Sequence, residues 1–170
     1  MLLFKQLIIV TLALFTITDV NAQECKYTVE EKDKFTNKIT KELEPVLLTK
    51  KVKMTPGAIT NVKMTLKLEN GKKLFIFSFV RSSSNGPVLV KGNQLILLLK
   101  NGEQITLTMT QMTSDMNKYV MSSPFEISDK QLALLEQHDI SDIRVLPTFN
   151  PVDILVDAKK GTAKYFHCIK

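Results

Sequence analysis

A chain of 170 residues in which 44% are apolar is long enough for one domain with a real core and too apolar to stay disordered. Its net charge of +6 is moderate, well below the density of a dedicated nucleic-acid binder, so no nucleic-acid partner is expected. Charge of this size bears on solubility and on loose attraction to anionic surfaces, not on fold.

Residues 1–22 read as a secretory signal. Lys5 precedes the apolar run Leu7 to Phe15, and Val20-Asn21-Ala22 places small side chains where a signal peptidase cuts. The run is shorter than the roughly 20 apolar residues that span a bilayer, and no second apolar segment is long enough. The expectation is an exported protein, periplasmic or secreted, whose residues 23–170 form a single globular domain without a transmembrane segment after cleavage. Only two cysteines occur, Cys25 and Cys168. In an oxidising compartment they are the one possible intramolecular pair. Such a disulfide would close almost the whole domain and stabilise it by up to about 5 kcal/mol in the chain-entropy picture. The rival readings are free or intermolecular thiols, or a lipid-modified Cys25. Lipidation needs cleavage directly before the cysteine, after small residues, where Gln23 and Glu24 stand instead. The disulfide is favoured, and it requires the two Cα atoms to lie within about 7 Å.

Lys26 to Lys53 is charged and weakly patterned. Ile39, Leu43, Val46 and Leu47 suggest a segment that pairs with or wraps a sheet, and Pro45 keeps it out of a central ladder. A turn is expected at Pro56-Gly57. Asn70-Gly71 then predicts a two-residue type I′ hairpin. Its register places Leu66 opposite Phe75, Met64 opposite Phe77 and Val62 opposite Phe79, all on one apolar face. The other face pairs Lys67 with Leu74, Thr65 with Ile76 and Lys63 with Ser78. Ser82 to Pro87 reads as a loop. The same reasoning at Asn101-Gly102 sets Lys100 against Glu103, Leu98 against Ile105 and Ile96 against Leu107, with Leu97 facing Thr106 and Leu95 facing Thr108. Leu95 to Leu99 is then apolar on both sides and calls for cover on its second face, expected from a helix.

Ser128-Asp129-Lys130-Gln131 has the form of a capping box, with Ile127 and Leu132 as a hydrophobic staple, and predicts a helix from Asp129 to about His138. Strands are expected at Asp142 to Leu146 and Val152 to Val156, about a turn from Pro147 to Pro151. The tail from Ala158 to Ile169 fits both periodicities. Helix is favoured, with Gly161 as the argument against it. The fold class is therefore α+β: a mainly antiparallel β-sheet built from hairpins, with one or two helices in the C-terminal third.

Several stretches carry a resemblance: Cys25-Lys26-Tyr27, Asp33-Lys34-Phe35-Thr36, the block from Lys91-Gly92-Asn93-Gln94-Leu95 to Ile105, and the capped helix followed by Ile140-Ser141-Asp142-Ile143-Arg144-Val145. Together these resemble small exported proteins of Bacteroidetes bacteria, a group with no established activity. The resemblance implies a compartment and a fold style and transfers no functional residues.

Candidate chemistry is sparse. His138 and His167 are the only histidines. His138 falls at the end of the expected helix and His167 adjoins Cys168; a His-Cys metal site would need further ligands, and a disulfide would occupy that sulfur. No Gly-X-Ser-X-Gly elbow or Ser-X-X-Lys motif marks a hydrolase, and the carboxylates are scattered. Met109, Met112, Met116 and Met121 cluster in sequence, and thioethers can select Cu(I), but Met109 is expected to fill the core. Lys63 and Lys67 share the outer face of the first hairpin, with Lys72 and Lys73 just past its turn. They form a candidate anion-binding surface, against the plainer reading of a solvated face whose lysines deter edge pairing. No catalytic, cofactor or metal residue is assigned. The expected function is a non-enzymatic exported protein that binds a protein partner or an anionic envelope component. The alternatives are a small envelope hydrolase with an unidentified site and a Met-based copper binder.

Overall fold

In a computed structural model the described residues are 25–49, 59–81, 88–110, 119–147 and 151–169. They form strands β1 (Tyr27–Lys32), β2 (Ile39–Leu43), β3 (Val46–Leu47), β4 (Ile59–Glu69), β5 (Lys72–Arg81), β6 (Gln94–Leu99), β7 (Gln104–Thr108), β8 (Val120–Ile127), β9 (Ile140–Leu146) and β10 (Val152–Leu155). Helix α1 (Asp129–Gln137) joins β8 to β9, and a short helix α2 (Thr162–Phe166) lies in the tail between two 3₁₀ turns. Every strand pair is antiparallel. One sheet runs β1-β2-β4-β5-β8 with β3 paired to β4, and the other runs β10-β9-β6-β7. The expected α+β class, mainly antiparallel with helices late in the chain, is what the molecule has. The expected turns and loops at 56–57, 82–87, 113–118 and 148–150 lie outside the described residues.

The apolar faces of the two sheets meet in one core. Met64, Leu66, Phe75, Phe77, Phe79 and Phe125 face it from the first sheet, and Leu95, Leu97, Leu99, Ile143 and Val145 from the second, all essentially inaccessible. Period-two alternation creates these faces: within β5 and β6 buried residues alternate with half-buried ones. Residues 108–110 and 125 draw the sheets together along one side, where Met109 bridges Phe125. The two sheets thus open like a clam from the β7–β8 seam.

The first hairpin has the predicted register from Lys63↔Ser78 to Leu66↔Phe75. Asn70 (φ 53°) and Gly71 (φ 79°) both take the left-handed conformation that a type I′ turn demands. The expected Val62–Phe79 pair does not form, because the register shifts between Thr60 and Lys63. Asn61 (φ 49°) kinks the strand there. Val62 stays buried, and its carbonyl accepts the Leu48 N–H at 2.7 Å. A bulge that re-aims the backbone without losing the apolar contact explains the difference.

The second hairpin departs by one residue. Leu97 faces Ile105, Leu95 faces Leu107 and Ile96 faces Thr106. The Gly102 N–H donates to the Leu99 carbonyl, and the Leu99 N–H donates to the Glu103 carbonyl. The loop is therefore three residues long, with Gly102 alone at positive φ (91°), the usual companion of a bulged type I turn. The reason is hydrophobic: this register gathers Leu95, Leu97, Leu99, Ile105 and Leu107 on one buried face, which the two-residue turn would have split. The expected helical cover over the second face is likewise corrected. Ile96 and Leu98 stay half-buried beside Asp142, Arg144 and Asp153 in a groove of about 380 Å³ that no helical residue lines. The helices instead add Leu132, Leu135 and Phe166 to the common core.

Helix α1 begins as predicted. The Gln131 N–H donates to Ser128 Oγ, and Gln131 Oε1 accepts the Ser128 N–H at 2.9 Å. Ile127 and Leu132 are both buried, as a staple requires. The tail is helical but broken. Gly161 adopts φ 56°, ψ 60° between the first 3₁₀ turn and α2, so the tail becomes three short pieces in place of one helix.

Candidate functional site

Cys25 and Cys168 are bridged, with an S–S distance of 2.04 Å and Cα atoms 5.6 Å apart across 143 residues of sequence. A structural bridge of this kind fits an oxidising compartment. Among the described residues no helix is long and apolar enough to cross a membrane.

Three stretches of backbone converge at the bridge. Residues 25–26 lead into β1, residues 43–46 turn from β2 into β3 around Pro45, and residues 160–168 form the tail. Each pair of stretches is tied. Glu44 N–H donates to the Lys26 carbonyl at 2.9 Å. The Tyr27 hydroxyl donates to the Cys168 carbonyl at 2.9 Å, and the Tyr165 hydroxyl donates to the Glu44 carbonyl. Between them lies a cleft of about 330 Å³, at the small end of ligand sites. Leu43 and Met64 close its floor, and Val46, Pro45, Tyr165 and the disulfide form its walls.

Lys26, Lys160 and Lys164 line this cleft against a single acid, Glu44. None of the three ammonium groups is in an ion pair among the described residues. The Tyr165 phenol is pushed well above its ordinary value, chiefly by burial and then by the carboxylates of Glu44 and Glu42. It therefore remains a neutral donor committed to Glu44 and adds no negative charge to the cleft. The result is a partly enclosed pocket with a net positive lining, whose chemistry suits capture of an anion.

The sequence-predicted lysines are placed differently. Lys67 is paired with Glu69 at 2.9 Å, Lys72 with Glu126 at 2.9 Å and Lys73 with Asp129 at 2.5 Å, while Lys63 is exposed. Lys63, Lys67 and Lys72 share the outer face of the first sheet. Lys73 alternates with Phe75 onto the other side, beside the start of α1. The fold does not bring the four into one concave site, and three of them already have a carboxylate. Met64, Met109 and Met121 are buried in the core, and Met112 and Met116 lie outside the described residues. His138 caps the C-terminus of α1 and His167 is exposed after α2; neither lines the cleft. Among the described residues no three His, Cys, Asp or Glu side chains gather as a metal would need.

Sequence reasoning missed Lys26, Lys160 and Lys164. One signal was available: if Cys25 meets Cys168, then Lys26 must lie close to the lysines four and eight residues before Cys168. No family model, curated protein or solved structure matches this chain.

Proposed function

We propose that the protein acts outside the cytoplasm as a non-enzymatic binding protein for an anionic envelope component, held in the cleft beside Cys25–Cys168. The observation that carries this reading is the convergence of Lys26, Lys160 and Lys164, none of them ion-paired, on a pocket with one acid. Lys26 and Lys164 are exposed and Lys160 is half-buried, and three cations converging on one concave rim attract an anion more strongly than the same cations dispersed over the surface. The resemblance to small exported Bacteroidetes proteins and the signal-like start of the chain support the compartment.

Calorimetric titration with pyrophosphate and with citrate tests the reading. Replacing Lys26, Lys160 and Lys164 together by Gln is expected to weaken anion binding by roughly a hundredfold, given about 1 kcal/mol for each of three lost charge contacts. The matching change of Lys63, Lys67 and Lys72 should leave it nearly intact. Equal losses in the two variants would point to diffuse surface charge and sink the assignment of the cleft.

A further inference from the structure

Among the described residues the most exposed large apolar side chain is at the tip of the β1–β2 hairpin, outside the cleft lining. Phe35 is 84% exposed. A single exposed phenylalanine is ordinary on a protein surface; its setting here is not. The tip is rigidly built. Asp33 Oδ1 accepts the N–H groups of Phe35 and Thr36, both at 2.8 Å. The Asp33 carbonyl accepts the Asn37 N–H at 2.8 Å, and the Asp33 N–H donates to the Lys38 carbonyl at 2.9 Å. Asn37 takes the left-handed conformation (φ 55°) to close the turn. The chain spends four hydrogen bonds on a loop whose central side chain touches none of the core.

The charge around Phe35 is sorted as well. Lys32, Lys34 and Lys38 are all exposed, and the Lys34 ammonium sits 5.1 Å from the Phe35 ring centroid. The acids nearby are Glu30, Glu31 and Asp33, all exposed. Asp33 is drawn into the turn, whose N–H donors hold its carboxyl below the usual range. Glu30 pairs with Lys41 at 2.8 Å. Of the acids from Glu30 to Lys38, only Glu31 stays outside such contacts. The tip therefore presents an aromatic ring among three exposed lysines, which outnumber the carboxylates of Glu31 and Asp33 by one, with the Asp33 carboxylate set back against the turn backbone.

We infer that this hairpin tip is a membrane-contact element that seats Phe35 among the headgroups of an anionic bilayer. The ring supplies the apolar anchor, and Lys32, Lys34 and Lys38 meet the lipid phosphates while their alkyl stems follow the ring inward. One aromatic and three lysines make a weak, reversible attachment, comparable to a single-signal anchor. The contact is independent of the cleft and holds or fails separately from it.

The chain contains no tryptophan, so Phe35→Trp introduces a sole indole that reports on this position alone. Its emission is expected to move to shorter wavelength with vesicles that are one-third phosphatidylglycerol, and not with pure phosphatidylcholine. About 0.5 M salt, where charges are screened within a few ångström, should reverse the shift. Adding Lys32→Gln, Lys34→Gln and Lys38→Gln should cut the shifted fraction severalfold. In the otherwise unchanged protein, Phe35→Ala should lower co-sedimentation with the anionic vesicles. No shift with either vesicle, or an equal shift with both, overturns the inference. Because the indole reads its own surroundings, attachment through another part of the chain does not imitate the expected result.

Discussion

The two sides of the clam are closed by different physics. At the β7–β8 side the sheets are drawn together by backbone: Met109 bridges Phe125 while its own N–H and carbonyl bond Asn93 and Gly92. At the opposite side the tail acts as a stopper made mostly of side-chain ties, with one backbone bond among them. Phe166 stacks on Phe75 with ring centroids 6.3 Å apart, and Asp157 N–H donates to the Leu48 carbonyl at 2.8 Å. Thr162 Oγ1 accepts the Ile140 N–H at 2.7 Å, Asp139 holds Ala163, and the disulfide closes the set. The candidate ligand cleft lies in this second seam. Where a sheet continues as sheet, the backbone ladder suffices; where distant segments merely meet, cross-links must hold them, and the gaps between them become a site.

The disulfide is the strongest way to break that contrast. Replacing Cys25 and Cys168 by Ser should lower stability by about 4 kcal/mol, since the bridge closes nearly the whole chain. Denaturant titration measures the loss. Amide exchange should localise it, with Glu44, Asp157 and Ala163 losing protection while Met109 and Phe125 keep theirs relative to the global limit. Equal loss at both seams would show that they open as one unit.

Asp139 gives the next effect. Its carboxylate meets the Lys100 ammonium at 2.8 Å and accepts the Ala163 N–H at 2.9 Å, pinning α2 to the second sheet. Burial by itself would raise this carboxyl, but Lys100, the Ala163 N–H and the charge of Lys164 outweigh it, and the group titrates below its usual value. A group whose native pKa is depressed contributes stability that is present above its unfolded pKa, about 3.9, and is lost as pH falls through the lower native value. Asp139→Asn should therefore cost about 1.5 kcal/mol at neutral pH. The gap from the parent protein should shrink below about pH 4. A gap that stays constant down to acid pH would remove the charge from the explanation.

How much of this was legible beforehand differs along the same line. The β4–β5 hairpin was readable residue by residue from its turn out to Lys63 and Ser78, because a turn dipeptide and an apolar alternation agree there. At Asn101-Gly102 they disagree, and burial decides: one extra loop residue is a small cost beside splitting Leu95, Leu97 and Leu99 from Ile105 and Leu107. Local signals also sufficed for α1, whose cap, box and staple lie within six residues. The bulge at Asn61 could not be foreseen, since it depends on β3 approaching from outside the hairpin. Nor could the lysine cleft, assembled from residues 26, 160 and 164 by contacts between the ends of the domain. Cysteine counting carried that long-range information, and it did so for the bridge without being extended to its neighbours.

The smallest expected effect probes the first seam, where side chains matter least. Gln131 serves twice: Oε1 completes the capping box with Ser128, and Nε2 donates to the Thr106 carbonyl on the outer edge of β7 at 3.2 Å. That donation blunts an edge that could otherwise accept a foreign strand. Gln131→Glu keeps an acceptor for the box, removes the donor to Thr106 and sets a carboxylate near that carbonyl. Because that carbonyl is exposed enough for water to replace the amide, the loss should be about 0.5 kcal/mol. Gln131→Ala removes both contacts and should cost about 1 kcal/mol. Thermal unfolding of the two variants separates the contributions. If Gln131→Glu instead loosened Met109 and Phe125 in amide exchange as strongly as the cysteine changes loosen Ala163, the first seam too would depend on a side-chain tie, and the contrast between the two sides would fail.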